Sequence, residues 1–138
     1  MTDIMLDLET MGTGNNAAVV AVGACAFDIH GDSVPTGSAH NFYQKVSLES
    51  SVAAGMQIDV STVLWWMQQS DDARSSTFGG ETSSLAVVCQ QFRSWLAVFS
   101  DSLAVWGNGA TFDNVVIRSA FKAVGAAVPW SFRNDKCY

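Results

Sequence analysis

Polar and apolar residues alternate at the start of the chain, where "MLDLETMGTG", Met5 to Gly14, follows Asp3-Ile4. Residues two apart on a β-strand share a face, so Ile4, Leu6 and Leu8 point one way and Asp3, Met5, Asp7 and Glu9 the other. The strand ends in Met11-Gly12-Thr13-Gly14, where the chain loosens. "AAVVAVGACAFD", Ala17 to Asp28, is apolar throughout and reads as a buried strand. "HGDSVPTGS" carries turn chemistry, and "HNFYQKVSL", His40 to Leu48, alternates as a third strand. Three strands with short connections predict an antiparallel meander.

The period then changes to that of helices. Asp59 or Ser61 caps "STVLWWMQQS", and "SSLAVVCQQFRSWLAVFS", Ser83 to Ser100, keeps apolar residues three and four apart. Between them "SSTFGGETSS", Ser75 to Ser84, reads as a mobile loop. "LAVWGNG", Leu103 to Gly109, predicts a fourth strand, "FDNVVIRSAFKAVG" an amphipathic helix stopping at Gly125, and "VPWSFRNDKCY" the start of a fifth strand. Strands first, then alternating helix and strand, make an α/β fold with a mixed sheet flanked by helices.

Composition narrows the classes. A length of 138 residues fits one domain with a real core, and 49% hydrophobic residues with five Trp and eight Phe argue against disorder. No apolar run spans a bilayer and the start lacks the basic residues of a signal peptide, so the chain reads as cytoplasmic with no membrane partner. Cys25, Cys89 and Cys137 are widely spaced and odd in number, which predicts reduced thiols, the first two in the core. A net charge of −6 argues against coating nucleic acid by electrostatics alone. It is compatible with an enzyme whose metal ions neutralise a phosphodiester. Arg118, Lys122, Arg133 and Lys136 cluster late in the chain, as a solvated helix face or one edge of a groove. His30 and His40 lie in or beside the hairpin turn and read as solvated loop residues.

Asp7 and Glu9 stand side by side at the end of the first strand, and their repulsion must be relieved. Protonation of one, full solvation of both, or a hard cation between them would each do so. Parallel strands deliver functional groups at their carboxyl ends. Asp113 falls just past the fourth strand, in the first turn of a helix, where the macrodipole favours a negative charge.

"LDLETMG" followed about a hundred residues later by "WGNGATFDN" resembles motifs I and II of the DEDD superfamily of 3′-5′ exonucleases. More narrowly, "SLESS", "TVLWWMQQSDDAR", "VWGNGATFDNVVIR" and "PWSFRNDK" are similar to the exodeoxyribonuclease VIII-like and RNase T-like exonucleases of phages and bacteria. The resemblance implies a ribonuclease H-like fold and hydrolysis of single-stranded DNA or RNA from its 3′ end to nucleoside 5′-monophosphates. By position it makes Asp7, Glu9 and Asp113 the catalytic metal ligands for two Mg²⁺ or Mn²⁺ ions. Such a pair, about 3.5–4 Å apart, lowers the pKa of the attacking water and stabilises the leaving oxygen. The resemblance also implies that Thr10 and Met11 contact the terminal nucleotide, with Asn108 and Phe112 lining its pocket. Phe112 would stack on a base. Trp65 and Trp66 lie about 100° apart on their helix, one in the core and the other a groove wall or an interface; Trp66 is assigned to the substrate side.

The family carries a later motif III, H-x-x-x-D or Y-x-x-x-D, with the fourth carboxylate and the general base, and the sequence ends at Tyr138 before it. Residues 1–138 thus read as a single exonuclease domain truncated at its C-terminal end. Without the helix that carries that motif, an apolar sheet face is left to seek a partner, as in a homodimer. The expected function is a phage or bacterial cytoplasmic exonuclease; the alternative is an impaired exonuclease-fold protein that binds nucleic-acid ends or a partner protein.

Overall fold

A computed structural model of the chain describes residues 1–31, 38–99 and 102–138. The predicted turn from His30 to Ser38 and the predicted helix end at Ser100 fall largely outside the described residues. The strands are β1 (Thr2–Thr10), β2 (Val19–Phe27), β3 (Asn41–Lys45), β4 (Leu103–Gly107) and β5 (Asp135–Cys137). The helices are α1 (Leu48–Ala53), α2 (Val60–Met67), α3 (Asp71–Phe78), α4 (Leu85–Leu96) and α5 (Asp113–Ala123).

The strands form one sheet in the order β3-β2-β1-β4-β5. β1, β2 and β3 are the antiparallel meander that the alternation predicts, while β4 runs parallel to β1 and β5 parallel to β4. β1 is therefore central, and its carboxyl end lies beside that of β4. The mixed α/β architecture is the one expected from the sequence.

Ile4, Leu6 and Leu8 are buried in one cluster with Val88, Phe92 and Leu96 of α4 and Val116, Ile117 and Phe121 of α5. Phe92 sits at its centre, its ring 5.1 Å from Phe42 and 6.5 Å from both Phe121 and Trp130. α5 ends as predicted at Gly125, whose φ of +76° suits a residue without a β-carbon. The opposite face carries Asp3, Met5, Asp7 and Glu9 beside Cys25, Phe27, Tyr43 and Trp106. None of these is buried. That face mixes three carboxylates with half-exposed apolar side chains, and Cys25 belongs to it instead of to the core, because its register partner is Met5. Cys89 is buried as predicted, and burial pushes its thiol up to about 12.

Other segments depart from expectation. Ser75–Phe78 complete α3 instead of opening a loop, because Ser70 caps that helix through Ala73 N–H, Asp71 and Asp72 favour its first turn, and Phe78 packs edge-on to Trp66 at 5.0 Å. The connection that follows is tied down, with Lys45 Nζ donating to the Gly79 carbonyl at 2.7 Å and Ser83 N–H to the Lys45 carbonyl at 3.1 Å. His40 is half-buried against Phe99, not a solvated loop residue. β5 is only three residues long because Phe132–Asn134 form a 3-10 turn first. Among the described residues no helix is long and apolar enough to cross a membrane.

α4 supplies much of the core and starts at Ser84, whose hydroxyl accepts from Val87 N–H at 3.3 Å. Ser84→Ala is expected to cost about 1 kcal/mol. A lower urea midpoint with an unchanged slope would report it.

Candidate active site

Asp7 and Glu9 sit on the last turn of the β1 pleat, on the face away from the helices, Asp7 exposed and Glu9 half-buried. The pairing with β2 shifts between Glu9 and Thr10, because Glu9 pairs with Ala21 and Thr10 with Val19, leaving Val20 as an extra residue. Such a bulge bends the strand locally and re-aims the side chains beside it.

Asp113 reaches the same place from α5. The ladder between β1 and β4 stops at Leu6–Gly107, so Leu8 N–H has lost its partner strand. The Asp113 carboxylate takes over, accepting from Leu8 N–H at 3.3 Å. Asp113 is only 4% exposed. One hydrogen bond thus joins the first turn of α5 to the backbone between Asp7 and Glu9.

The three carboxylates act on one another electrostatically. Burial, and then the negative charges of Asp7 and Asp113, raise the Glu9 carboxyl above the usual range. Burial pushes Asp113 up to about 6, helped by the Asp7 charge and opposed by the Leu8 hydrogen bond. Among the described residues no group of three or more His, Cys, Asp or Glu stands assembled to hold a metal ion. The donor set nevertheless fits a hard divalent cation, since all three groups offer carboxylate oxygens and two have their charged forms disfavoured, which a cation would reverse.

Thr10 is half-buried, its hydroxyl donating to the Gly12 carbonyl at 2.8 Å. Asn108 is exposed and Phe112 half-buried, on the turn between β4 and α5. Met11 lies in the core, so its side chain offers little surface to a nucleotide. Trp66 is only 8% exposed, its ring packed edge-to-face with Trp65 at 4.9 Å and Phe78 at 5.0 Å, and its Nε1 donates to the Thr10 carbonyl at 3.4 Å. The exposed member of the pair is Trp65, at 54%. Trp66, expected on the substrate side, thus supports the end of β1 from within and leaves little surface of its own.

Further residues hold the site in shape without having been singled out by sequence. Asp59 is the residue before α2, yet its carboxylate makes no capping bond; it accepts instead from Thr13 N–H at 2.7 Å, fastening the loop after β1. The amide of Asn114, fully buried beside Asp113, donates to the Val105 carbonyl and to Asp135 Oδ1, both at 3.0 Å. That oxygen also accepts from Arg118 and from Trp130 Nε1, each at 2.8 Å. Arg118 is thereby tied to β5 by an ion pair with Asp135. A polar residue directly after Asp113 is the one local sign of this network; the partner 21 residues away in sequence leaves none.

The sequence matches over residues 2–138 the family described as the 3′-5′ exoribonuclease Rv2179c-like domain. It is 34% identical over 79 residues, 55% of this chain and 34% of the other, to an exodeoxyribonuclease of Enterobacteria phage T4. The chain thus spans about a third of that relative's length. Its fold is similar to E. coli exonuclease I in complex with a dT13 oligonucleotide, with TM-score 0.65 and 18% identity over 99% of this chain and 27% of that one. It is also similar to the nuclease domain of 3′hExo, a DEDDh family member bound to rAMP, with TM-score 0.57 and 11% identity over 93% of this chain and 62% of that one.

Proposed function

Because the chain belongs to the 3′-5′ exoribonuclease Rv2179c-like domain family, within the DEDD exonucleases, we propose that Asp7, Glu9 and Asp113 are its catalytic carboxylates and that it removes nucleotides from the 3′ end of single-stranded nucleic acid. The observation that carries this reading is the approach of Asp113 from α5 to the end of β1, where it accepts from Leu8 N–H between Asp7 and Glu9, with the Glu9 and Asp113 carboxyls raised by burial and by neighbouring negative charge. Mg²⁺ or Mn²⁺ held there would supply charge neutralisation of the phosphodiester and a water of lowered pKa.

The chain's own part is to orient and to hold apart. The Leu8 N–H fixes the Asp113 carboxylate, and the bulge at Glu9–Thr10 sets the direction of Glu9. In this reading Asn108 and Phe112, on the turn before α5, would line the pocket of the terminal nucleotide, with Thr10 at the end of β1 contacting it. The exodeoxyribonuclease relative, the dT13-bound neighbour and the ribonuclease description of the family together support a single-stranded 3′ end, DNA or RNA, as substrate. Association as a homodimer through the open sheet face of Met5, Phe27, Tyr43 and Trp106 belongs to the same reading and would be read by light scattering.

The test is a ladder assay on 5′-labelled single-stranded DNA and RNA with Mn²⁺, Mg²⁺ or EDTA. Stepwise shortening with release of 5′-monophosphates, stopped by EDTA, is expected. Metal-independent cleavage would overturn the site; tight binding of 3′ ends without shortening would make the chain a binding module.

A further inference from the structure

α2 is an apolar helix with most of its surface outside the fold. Only Trp66 is buried, while Val60, Leu64 and Met67 are exposed along one stripe and Trp65 beside them. No residue of Val60–Met67 carries a charge. Scattered exposed hydrophobics need no explanation, but several on one short helix mark a contact surface.

Its position says what it contacts. Trp66 donates to the Thr10 carbonyl, Asp59 N–H donates to the Met11 carbonyl at 2.9 Å, and the Asp59 carboxylate holds Thr13. Trp65 lines, with Thr13, Ser61 and Thr62, an open recess of ≈ 370 Å³. The exposed indole therefore begins where the strand bearing Asp7 and Glu9 ends.

Charge excludes one way of gripping a strand. Asp7, Glu9, Asp59 and Asp113 surround this end of β1, and no lysine or arginine lines the recess. Arg74, beside the Met67 carbonyl at the far end of α2, is paired with Asp71, and Arg118 is paired with Asp135. Phosphates in the recess itself meet no lysine or arginine, whereas nucleobases present flat apolar faces that stack on an indole whatever the sequence.

Resting on the exonuclease reading, we infer that Trp65 is a stacking platform for a base upstream of the scissile link, with the Val60–Leu64–Met67 stripe as its continuation, so that the strand is held by its bases. Such stacking contributes about 5- to 150-fold in affinity per base.

The experiment compares the whole chain with Trp65→Ala and Trp65→Phe on oligo-dT and on the same strand made abasic upstream of its 3′-terminal nucleotide. Trp65→Ala is expected to raise KM on oligo-dT about 10-fold or more, with the effect on KM rather than kcat. Trp65→Phe should restore most of it, and wild type and Trp65→Ala should be alike on the abasic strand. An equal loss on both strands would overturn the proposal, as would a shift of Trp65→Ala from dimer to monomer, which would make α2 a contact between copies. Should the wild type cut neither strand, the exonuclease reading fails separately. Anisotropy of the two labelled strands in EDTA then judges the platform: tighter binding of oligo-dT than of the abasic strand, lost in Trp65→Ala, upholds it, and equal binding overturns it.

Discussion

Gly107→Ala is expected to unseat the first turn of α5 and to remove most of the hydrolytic activity. Gly107 closes β4, and a β-carbon there would lie 2.5 Å from Asn114 Oδ1 and 3.2 Å from Asp113 Cβ. The first distance is well inside contact, so something must move. Asn114 cannot swing away, since it is fully buried and both its amide bonds, to the Val105 carbonyl and to Asp135, point the other way. The helix must therefore back off the sheet. The Asp113–Leu8 hydrogen bond, at 3.3 Å, is the weakest link in that path and would break first. Overpacking of this kind costs about 1–3 kcal/mol. Displacing a reacting group by an ångström costs about 10²-fold in rate. Urea unfolding and the ladder assay would read both effects, and a variant as stable and as active as the wild type would refute this account of how Asp113 is positioned.

The same residues show why part of the site was legible in the sequence. Asp7 and Glu9 follow from period-two alternation, because Ile4, Leu6 and Leu8 must face the core and leave the carboxylates on the other side. Asp113 follows from a strand, a glycine break and a helix start in that order. What depends on long-range partners left no local trace. Asp59 looks like a helix cap, but its carboxylate is claimed by Thr13, 46 residues earlier. Trp65 and Trp66 could not be told apart, because a helix without a charged residue has no strongly polar face to fix its rotation. The bulge beside Glu9 and the clash that keeps position 107 a glycine arise only once the sheet and α5 are packed together.

Asp113→Asn is expected to do two opposite things: abolish hydrolysis, and stabilise the metal-free protein at neutral pH. Burial holds the Asp113 carboxyl at about 6 against an ordinary 3.8, so the folded chain binds that proton more tightly than the unfolded one. A group raised in this way contributes its full stability below the unfolded value and loses it as pH climbs through the folded one. Between about pH 4 and pH 6 the wild type should therefore lose stability, with the Asp7 charge adding to the loss. The Leu8 N–H favours the ionised form and opposes the trend, but burial is the larger cause. An asparagine keeps an oxygen to accept from Leu8 N–H and never ionises, so its melting temperature should fall less over that interval, Glu9 alone of the raised pair still contributing, and it should converge with the wild type near pH 4 and lie above it at pH 7. Activity moves the other way. Even the loss of a residue that merely supports a metal ligand costs about 10–100-fold, and here the carboxylate itself is gone, so a fall of at least about 10²-fold is expected. Adding Mn²⁺ should raise the melting temperature of the wild type alone, because only it has the full donor set to bind the ion in the folded state. Melting in EDTA at pH 4.5 and pH 7, repeated with Mn²⁺, would separate the terms. An asparagine variant no more stable than the wild type at pH 7 in EDTA would mean that Asp113 carries its charge at no cost and that the three carboxylates do not form one electrostatic unit.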